Sequence, residues 1–129
     1  MKYLLDTHTL LMYDNAPNEL PKRVKLVVQD RKNQIFVSDI TAWEISIKCN
    51  IGKLPQAEPL LGSFRATLLV YSFERLGFNT EHALLAGTAL TPHSDPFDRA
   101  LVAQALLENL VLITKDSKIQ QVARLKTFW

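Results

Sequence analysis

Four acids define the chemistry open to this chain. Asp6 follows the short apolar run Lys2-Tyr3-Leu4-Leu5, and Asp116 follows Val111-Leu112-Ile113-Thr114-Lys115. Asp98 stands in the stretch His93-Ser94-Asp95-Pro96-Phe97-Asp98-Arg99, and Glu44 in Trp43-Glu44-Ile45-Ser46-Ile47-Lys48. The apolar runs read as buried strands, so Asp6 and Asp116 stand just past strand ends. In a parallel sheet those ends and the helix N-termini share one edge, which is where such sheets bind ligands. Carboxylates gathered there repel one another and raise each other's pKa. A divalent cation removes that conflict. An oxygen-only donor set without a Cys or His cluster suits Mg2+ or Mn2+ rather than Zn2+.

Each acid also has a plainer use. Asp6 and Asp116 can cap following helices, Asp98 can be an anion favoured in a first turn, and Glu44 can be a solvated helix residue. Asp95 is assigned mainly to capping, with Pro96 at the first helical position behind it. Asp98, three residues on, projects from the first turn and is assigned to metal.

The elements that must position these acids alternate in type. Lys2–Leu5 and 35–37 read as strands, and a short helix through Leu10–Met12 is capped by Asp6 or Thr7. A helix spans 19–32, with Leu20, Val24, Val27 and Val28 inward and basic residues outward. Ser38 or Asp39 caps the helix that carries Glu44, and Gly52 stops it. One helix from Pro59 through Leu69, a strand over 72–78, a helix capped by Thr80, the helix opened by Asp95, the strand 111–114 and an edge strand over 124–129 complete the chain. Strands alternating with helices predict a single α/β domain over residues 1–129, a sandwich on a mainly parallel sheet of four or five strands.

Composition sets the class. At 129 residues, 47% hydrophobic and 22% charged, the chain is expected to be an ordinary soluble domain. No apolar run is long enough for a bilayer, the N-terminus lacks a signal-peptide pattern, and Cys49 is the sole cysteine, so the expectation is a cytoplasmic protein. The net charge of +2 hides an asymmetry: with four acids set aside, 15 basic residues face 9 acidic ones, a surface of +6 that suits a polyanionic substrate.

These residues resemble a known family. Tyr3-Leu4-Leu5-Asp6-Thr7-His8, Val37-Ser38, Trp43-Glu44-Ile45-Ser46-Ile47-Lys48, Gly52-Lys53-Leu54, His93 to Arg99 and Leu112 to Asp116 are similar, in order and across nearly the whole chain, to the PIN-domain ribonucleases of the VapC toxin type. The resemblance implies a three-layer α/β/α sandwich and a Mg2+- or Mn2+-dependent endoribonuclease acting on an RNA substrate. It implies a cognate small antitoxin and a homodimer, for which the apolar segment Leu60 to Leu69 is the candidate surface. Asp6, Glu44, Asp98 and Asp116 match the family's acidic quartet, and Thr7 and Thr114 its supporting hydroxyls. Asp6 and Asp98 would be direct ligands, with Glu44 and Asp116 acting through water or a second ion. Hydrolysis would leave a 5′-phosphate and a 3′-hydroxyl. Lys48, Lys53, Arg99 and Lys115 are candidates for substrate phosphates, and His93 for an RNA contact or a proton shuttle.

Other chemistries fit less well. His8, His82 and His93 are too scattered for a zinc site, Gly52-Lys53 lacks the rest of a phosphate loop, and there is no nucleophile elbow. A receiver-like phospho-acceptor domain needs paired acids after the first strand, where Asp6-Thr7-His8 supplies one. A catalytically inactive PIN-type binding module is opposed by the intact quartet.

Overall fold

Alternation along the strands divides the side chains between two faces. Tyr3, Leu5, Ile35, Val37, Val111 and Ile113 pack into one hydrophobic cluster, and Leu4 and Leu112 into the other. This period of two places both faces of the sheet in the interior, so each must be covered by helices. The computed structural model describes residues 1–88 and 95–129. Its strands are β1 (Lys2–Leu5), β2 (Gln34–Ser38), β3 (Glu74–Leu76), β4 (Val111–Ile113) and β5 (Thr127–Phe128). They form one sheet in the order β3-β2-β1-β4-β5, with every neighbouring pair parallel.

The helices are α1 (Thr7–Asn15), α2 (Lys22–Gln29), α3 (Asp39–Asn50), α4 (Glu58–Gly62), α5 (Phe64–Tyr71), α6 (Thr80–Ala86), α7 (Pro96–Leu107) and α8 (Ser117–Gln120). Leu10 of α1, Val24 and Val28 of α2, Leu60 of α4 and Leu68 of α5 cover one face. Leu101, Val102 and Ala105 of α7 and Ile119 of α8 cover the other. Helix α3 serves both: Ile45 and Cys49 join the first cluster, and Ile40, at its start, joins the second. The result is the α/β/α sandwich expected, with the larger of the expected strand counts.

The chain builds β1, β2 and β3 outward in one direction, then returns to place β4 and β5 on the other side of β1. The order reverses between β1 and β4, which opens a crevice at their carboxyl ends. A receiver-like domain has the order 2-1-3-4-5, so this sheet rules that reading out.

Several boundaries differ from the sequence-based expectation for local reasons. The helix expected over 19–32 begins only at Lys22, because Pro21 lacks the N–H that a helix interior needs; Pro17–Glu19 forms a separate 3₁₀ turn. The single helix expected from Pro59 breaks at Ser63, whose hydroxyl donates to the Pro59 carbonyl at 3.0 Å. The strand expected over 72–78 is only Glu74–Leu76, since Ser72 (φ 60°) closes α5 in the left-handed region. Asn79, rather than Thr80, caps α6, and its side chain accepts from the His82 N–H at 3.0 Å while His82 Nδ1 accepts from the Asn79 N–H at 3.1 Å. The left-handed Arg124 (φ 66°) precedes a last strand of Thr127–Phe128 alone.

Leu101 is fully buried at the centre of the second cluster. Leu101→Ala should cost about 2–5 kcal/mol. Urea unfolding should show this as a lower midpoint at unchanged slope.

Candidate active site

The residue after β1 has a fixed backbone position. Asp6 donates its N–H to the Ile113 carbonyl of β4 at 3.1 Å, so it sits on the reversal point of the sheet. It is also the N-cap of α1: its Oδ1 accepts from the Thr9 N–H at 2.7 Å and from the Thr9 hydroxyl at 2.8 Å. Thr9 Oγ1 lies 2.9 Å from the Ile113 carbonyl, joining the cap to β4. Asp6 is 4% exposed. Burial pushes its carboxyl above the ordinary range, against the pull of hydrogen bonds from Thr114 and Thr9 and the charge of His8.

Across the crevice, Thr114 is fully buried, and its Oγ1 accepts from the Asp116 N–H at 3.1 Å. Asp116 caps α8, with Oδ1 accepting from the Lys118 N–H at 2.8 Å and the Ile119 N–H at 3.2 Å. Asp98 lies in the first turn of α7, where the N-terminal dipole favours an anion. Asp6, Asp98 and Asp116 line one cavity of about 480 Å3, together with His8, Lys115, Ser117, Lys118 and Ile119. His8, Lys115 and Lys118 are exposed, so the acidic floor has a partly basic rim.

Glu44 lies off the wall of that cavity. It is 2% exposed on α3, Oε2 is hydrogen-bonded to the Lys48 ammonium one turn on, and Oε1 has no hydrogen-bond partner among the described residues. Burial works to lower the Lys48 pKa. The hydrogen bond and charge of Glu44, with the charges of Asp95 and Asp98, outweigh it and hold the ammonium above its ordinary value. Lys48 therefore lies within electrostatic reach of the first turn of α7.

The other expected site residues divide. Asp95 is the N-cap of α7, accepting from the Phe97 N–H at 2.8 Å. Thr7 shares a buried hydroxyl–hydroxyl hydrogen bond of 3.0 Å with Thr41, tying α1 to α3. Arg99 donates to the Ala86 carbonyl at 2.9 Å and to the Thr88 carbonyl, so its guanidinium serves the end of α6. Lys53 is exposed beyond Gly52, away from the cavity lining. His93 lies outside the described residues. Sequence reasoning passed over Thr9 and Thr41; an N-cap Asp accepts from the N3 amide whatever its side chain, so nothing local marks either hydroxyl.

The donor set fits a hard divalent cation in its chemistry. Carboxylate oxygens dominate, a buried Glu44 oxygen lacks a partner, and Asp6 is buried as a charge with only partial compensation. Among the described residues no three such side chains already converge as a cage. Three acids at the crevice and a fourth on α3 could hold one or two ions only by drawing closer around them.

Comparison with known proteins agrees with this architecture. A family model described as PIN domain matches residues 3–125. Ribonuclease VapC16 of Mycobacterium tuberculosis is 49% identical over 35 residues, 27% of this chain; the chain spans 25% of that protein's length. Among solved structures, a chain of VapBC-1 from nontypeable Haemophilus influenzae is 25% identical, with 99% of this chain and 97% of that one covered at a TM-score of 0.65. A chain of VapBC2 from Rickettsia felis, bound to a DNA fragment from its promoter, is 18% identical, with 99% and 98% covered at a TM-score of 0.68.

Asp6→Asn keeps the cap, because Asn accepts from the Thr9 N–H much as Asp does. It removes a charge whose ionisation burial opposes. Without divalent ions the variant should melt roughly 2–5 °C higher at neutral pH. The folded-state pKa of Asp6 lies above its ordinary 3.8, so its contribution to stability is favourable in acid and is lost as pH rises through the folded value. The variant's advantage should therefore shrink as pH falls and vanish below 3.8. An unchanged or lower midpoint at pH 7 in calorimetry would show that the hydrogen bonds to the ionised form outweigh burial.

Proposed function

The chain belongs to the PIN domain family, and on that premise we propose that it is a divalent-metal-dependent endoribonuclease, the toxin of a toxin–antitoxin pair. The observation that carries this reading is the cavity at the sheet's reversal point, walled by Asp6, Asp98 and Asp116, with the unpartnered Glu44 oxygen on the neighbouring helix. Asp6 and Asp98 would hold Mg2+ or Mn2+ directly, with Glu44 and Asp116 acting through water or a second ion. Such an ion, when bound, supplies an acidified water and charge neutralisation for phosphodiester hydrolysis.

The chain's own residues do the rest. Thr9 holds the Asp6 carboxylate by its N–H and hydroxyl, and the Lys118 and Ile119 amides hold the Asp116 carboxylate, so both acids are oriented before substrate enters. Lys115 and Lys118 on the rim face the polyanion, and each neutralises a phosphate without reading its base. Lys53 adds charge further out. RNA is the substrate class this acid floor and basic rim suit, and the products carry a 5′-phosphate and a 3′-hydroxyl.

The partners follow the relatives. The structures this chain resembles are VapBC complexes, which supports a cognate small antitoxin here. A homodimer is supported by exposed apolar surface, though not by all of Leu60 to Leu69. Leu60 and Leu68 are core residues, while Leu69 and Val70 are each 78% exposed. Trp43 and Ile47 of α3, with Ile51 just past its end, add a second exposed row at helical spacing. Among the described residues no helix is long and apolar enough to cross a membrane. A nuclease acting on cellular RNA works in the cytoplasm.

Purified protein should cleave total cellular RNA with Mg2+ or Mn2+ and stop in EDTA. Asp98→Asn should reduce cleavage by about 100-fold or more, as loss of a ligand does. Asp95→Asn should retain most of it, since Asn caps as well as Asp. Equal cleavage in EDTA, or an Asp98→Asn variant as active as the unaltered protein, would overturn the reading.

A further inference from the structure

Glu44 is one of the most deeply buried charged groups in the molecule, at 2% exposure. A carboxylate taken out of water is costly unless a counter-charge and hydrogen bonds replace its hydration. Glu44 has half of that replacement. Oε2 is held by the Lys48 ammonium four residues on along α3, and Oε1 has no partner among the described residues. The Lys48 side chain is itself only 27% exposed, and the charges of Asp95 and Asp98 also act on it. Its ammonium therefore faces carboxylates rather than open solvent, where an incoming phosphate would meet it.

We propose that Lys48 is a resident counter-cation of the acidic site: it holds the Glu44 carboxylate in place while no ion is bound, and an arriving divalent cation must compete with it for Glu44. This rests on the divalent-metal reading given above and assigns Lys48 a positioning role, acting through Glu44, in place of a phosphate contact. Two opposed effects follow from one charge. Before metal arrives, Lys48 stabilises the fold by neutralising a buried anion. When metal arrives, a lysine charge beside Glu44 opposes the ion's two positive charges and weakens its binding. Lysine suits the task, because its compact ammonium satisfies one oxygen and leaves the other open, whereas a guanidinium fork tends to engage both.

Isothermal titration with Mn2+ and thermal melting in EDTA, on the full chain, test this. Lys48→Met should melt lower in EDTA yet bind Mn2+ about tenfold tighter, the scale on which groups behind metal ligands act. Lys48→Arg should melt near the unaltered protein and show no such gain. Lys48→Gln keeps an amide donor for Oε2 without the charge. It should also bind Mn2+ more tightly, and it decides the matter if the Met variant does not fold. With Glu44→Gln already present, adding Lys48→Met should bring little further tightening, because the group through which Lys48 acts is gone. Equal or weaker Mn2+ binding by both neutral variants, beside normal binding by the unaltered protein, would overturn the proposal. Unchanged Mn2+ affinity with weakened RNA binding would overturn it in favour of a phosphate contact. If neither the unaltered protein nor the variants bind Mn2+, the divalent-metal reading falls, and this proposal falls with it.

Discussion

Carboxylate oxygens must find partners in a place where burial strips them of water. That single conflict shapes the carboxyl edge of the sheet. Asp6 is answered by Thr9 and Thr114, Asp95 by the Phe97 amide of α7, Asp116 by the first amides of α8, and Glu44 by Lys48. Three of these four acids are helix caps. A cap places the anion where a helix already presents unpaired N–H groups and positive potential. The fold thus holds its acids with its own backbone, unlike small zinc domains, which collapse without their ion. A divalent cation of the kind proposed for this site can therefore leave while the fold remains.

Sheet topology brings the acids together. Asp6 and Asp116 lie far apart in sequence, and they meet because β1 and β4 are neighbours and parallel. The reversal of strand order beside β1 leaves no crossover helix above that pair of ends, and the cavity occupies the space. The Thr9 hydroxyl spans the same gap, with one proton shared between the Asp6 carboxylate and the Ile113 carbonyl, so one threonine serves both the capping of α1 and the seam between the strands.

Much of this is legible in the residues. Strand ends are marked by apolar runs that stop at Asp6 and before Asp116, and the opening of α7 is marked by Asp95-Pro96. What stays hidden is the use of each side chain once neighbours from distant segments arrive. Arg99 reads as a free cation, yet its guanidinium meets carbonyls at the end of α6, a contact no local pattern announces. Glu44 and Lys48 are visibly one turn apart, but only the packing of α3 against both core clusters shows that Glu44 is buried and Lys48 half-buried. The split of the expected Pro59 helix turns on one serine hydroxyl bonding backward, which is a choice between two local arrangements of similar energy. The expected apolar surface over Leu60 to Leu69 shrinks because Leu60 and Leu68 are core residues, which leaves Leu69 as its most exposed member.

The sheet's two margins limit how this protein can associate. The outer strands β3 and β5 are three and two residues long, and β3 reads Glu-Arg-Leu, with Arg75 held to Asp39 by paired hydrogen bonds of 3.1 and 3.0 Å. Edges so short, one of them charged, offer almost no ladder of unpaired amides and carbonyls to an added strand. Association by β-augmentation, in which main-chain bonds supply affinity with little regard to sequence, is thereby closed to it. Any stable assembly has to be made through helix faces, where side-chain shape decides the match. A protein of this build discriminates among related partners by which residues line its helices, and exchange of a few such residues is enough to change the company it keeps.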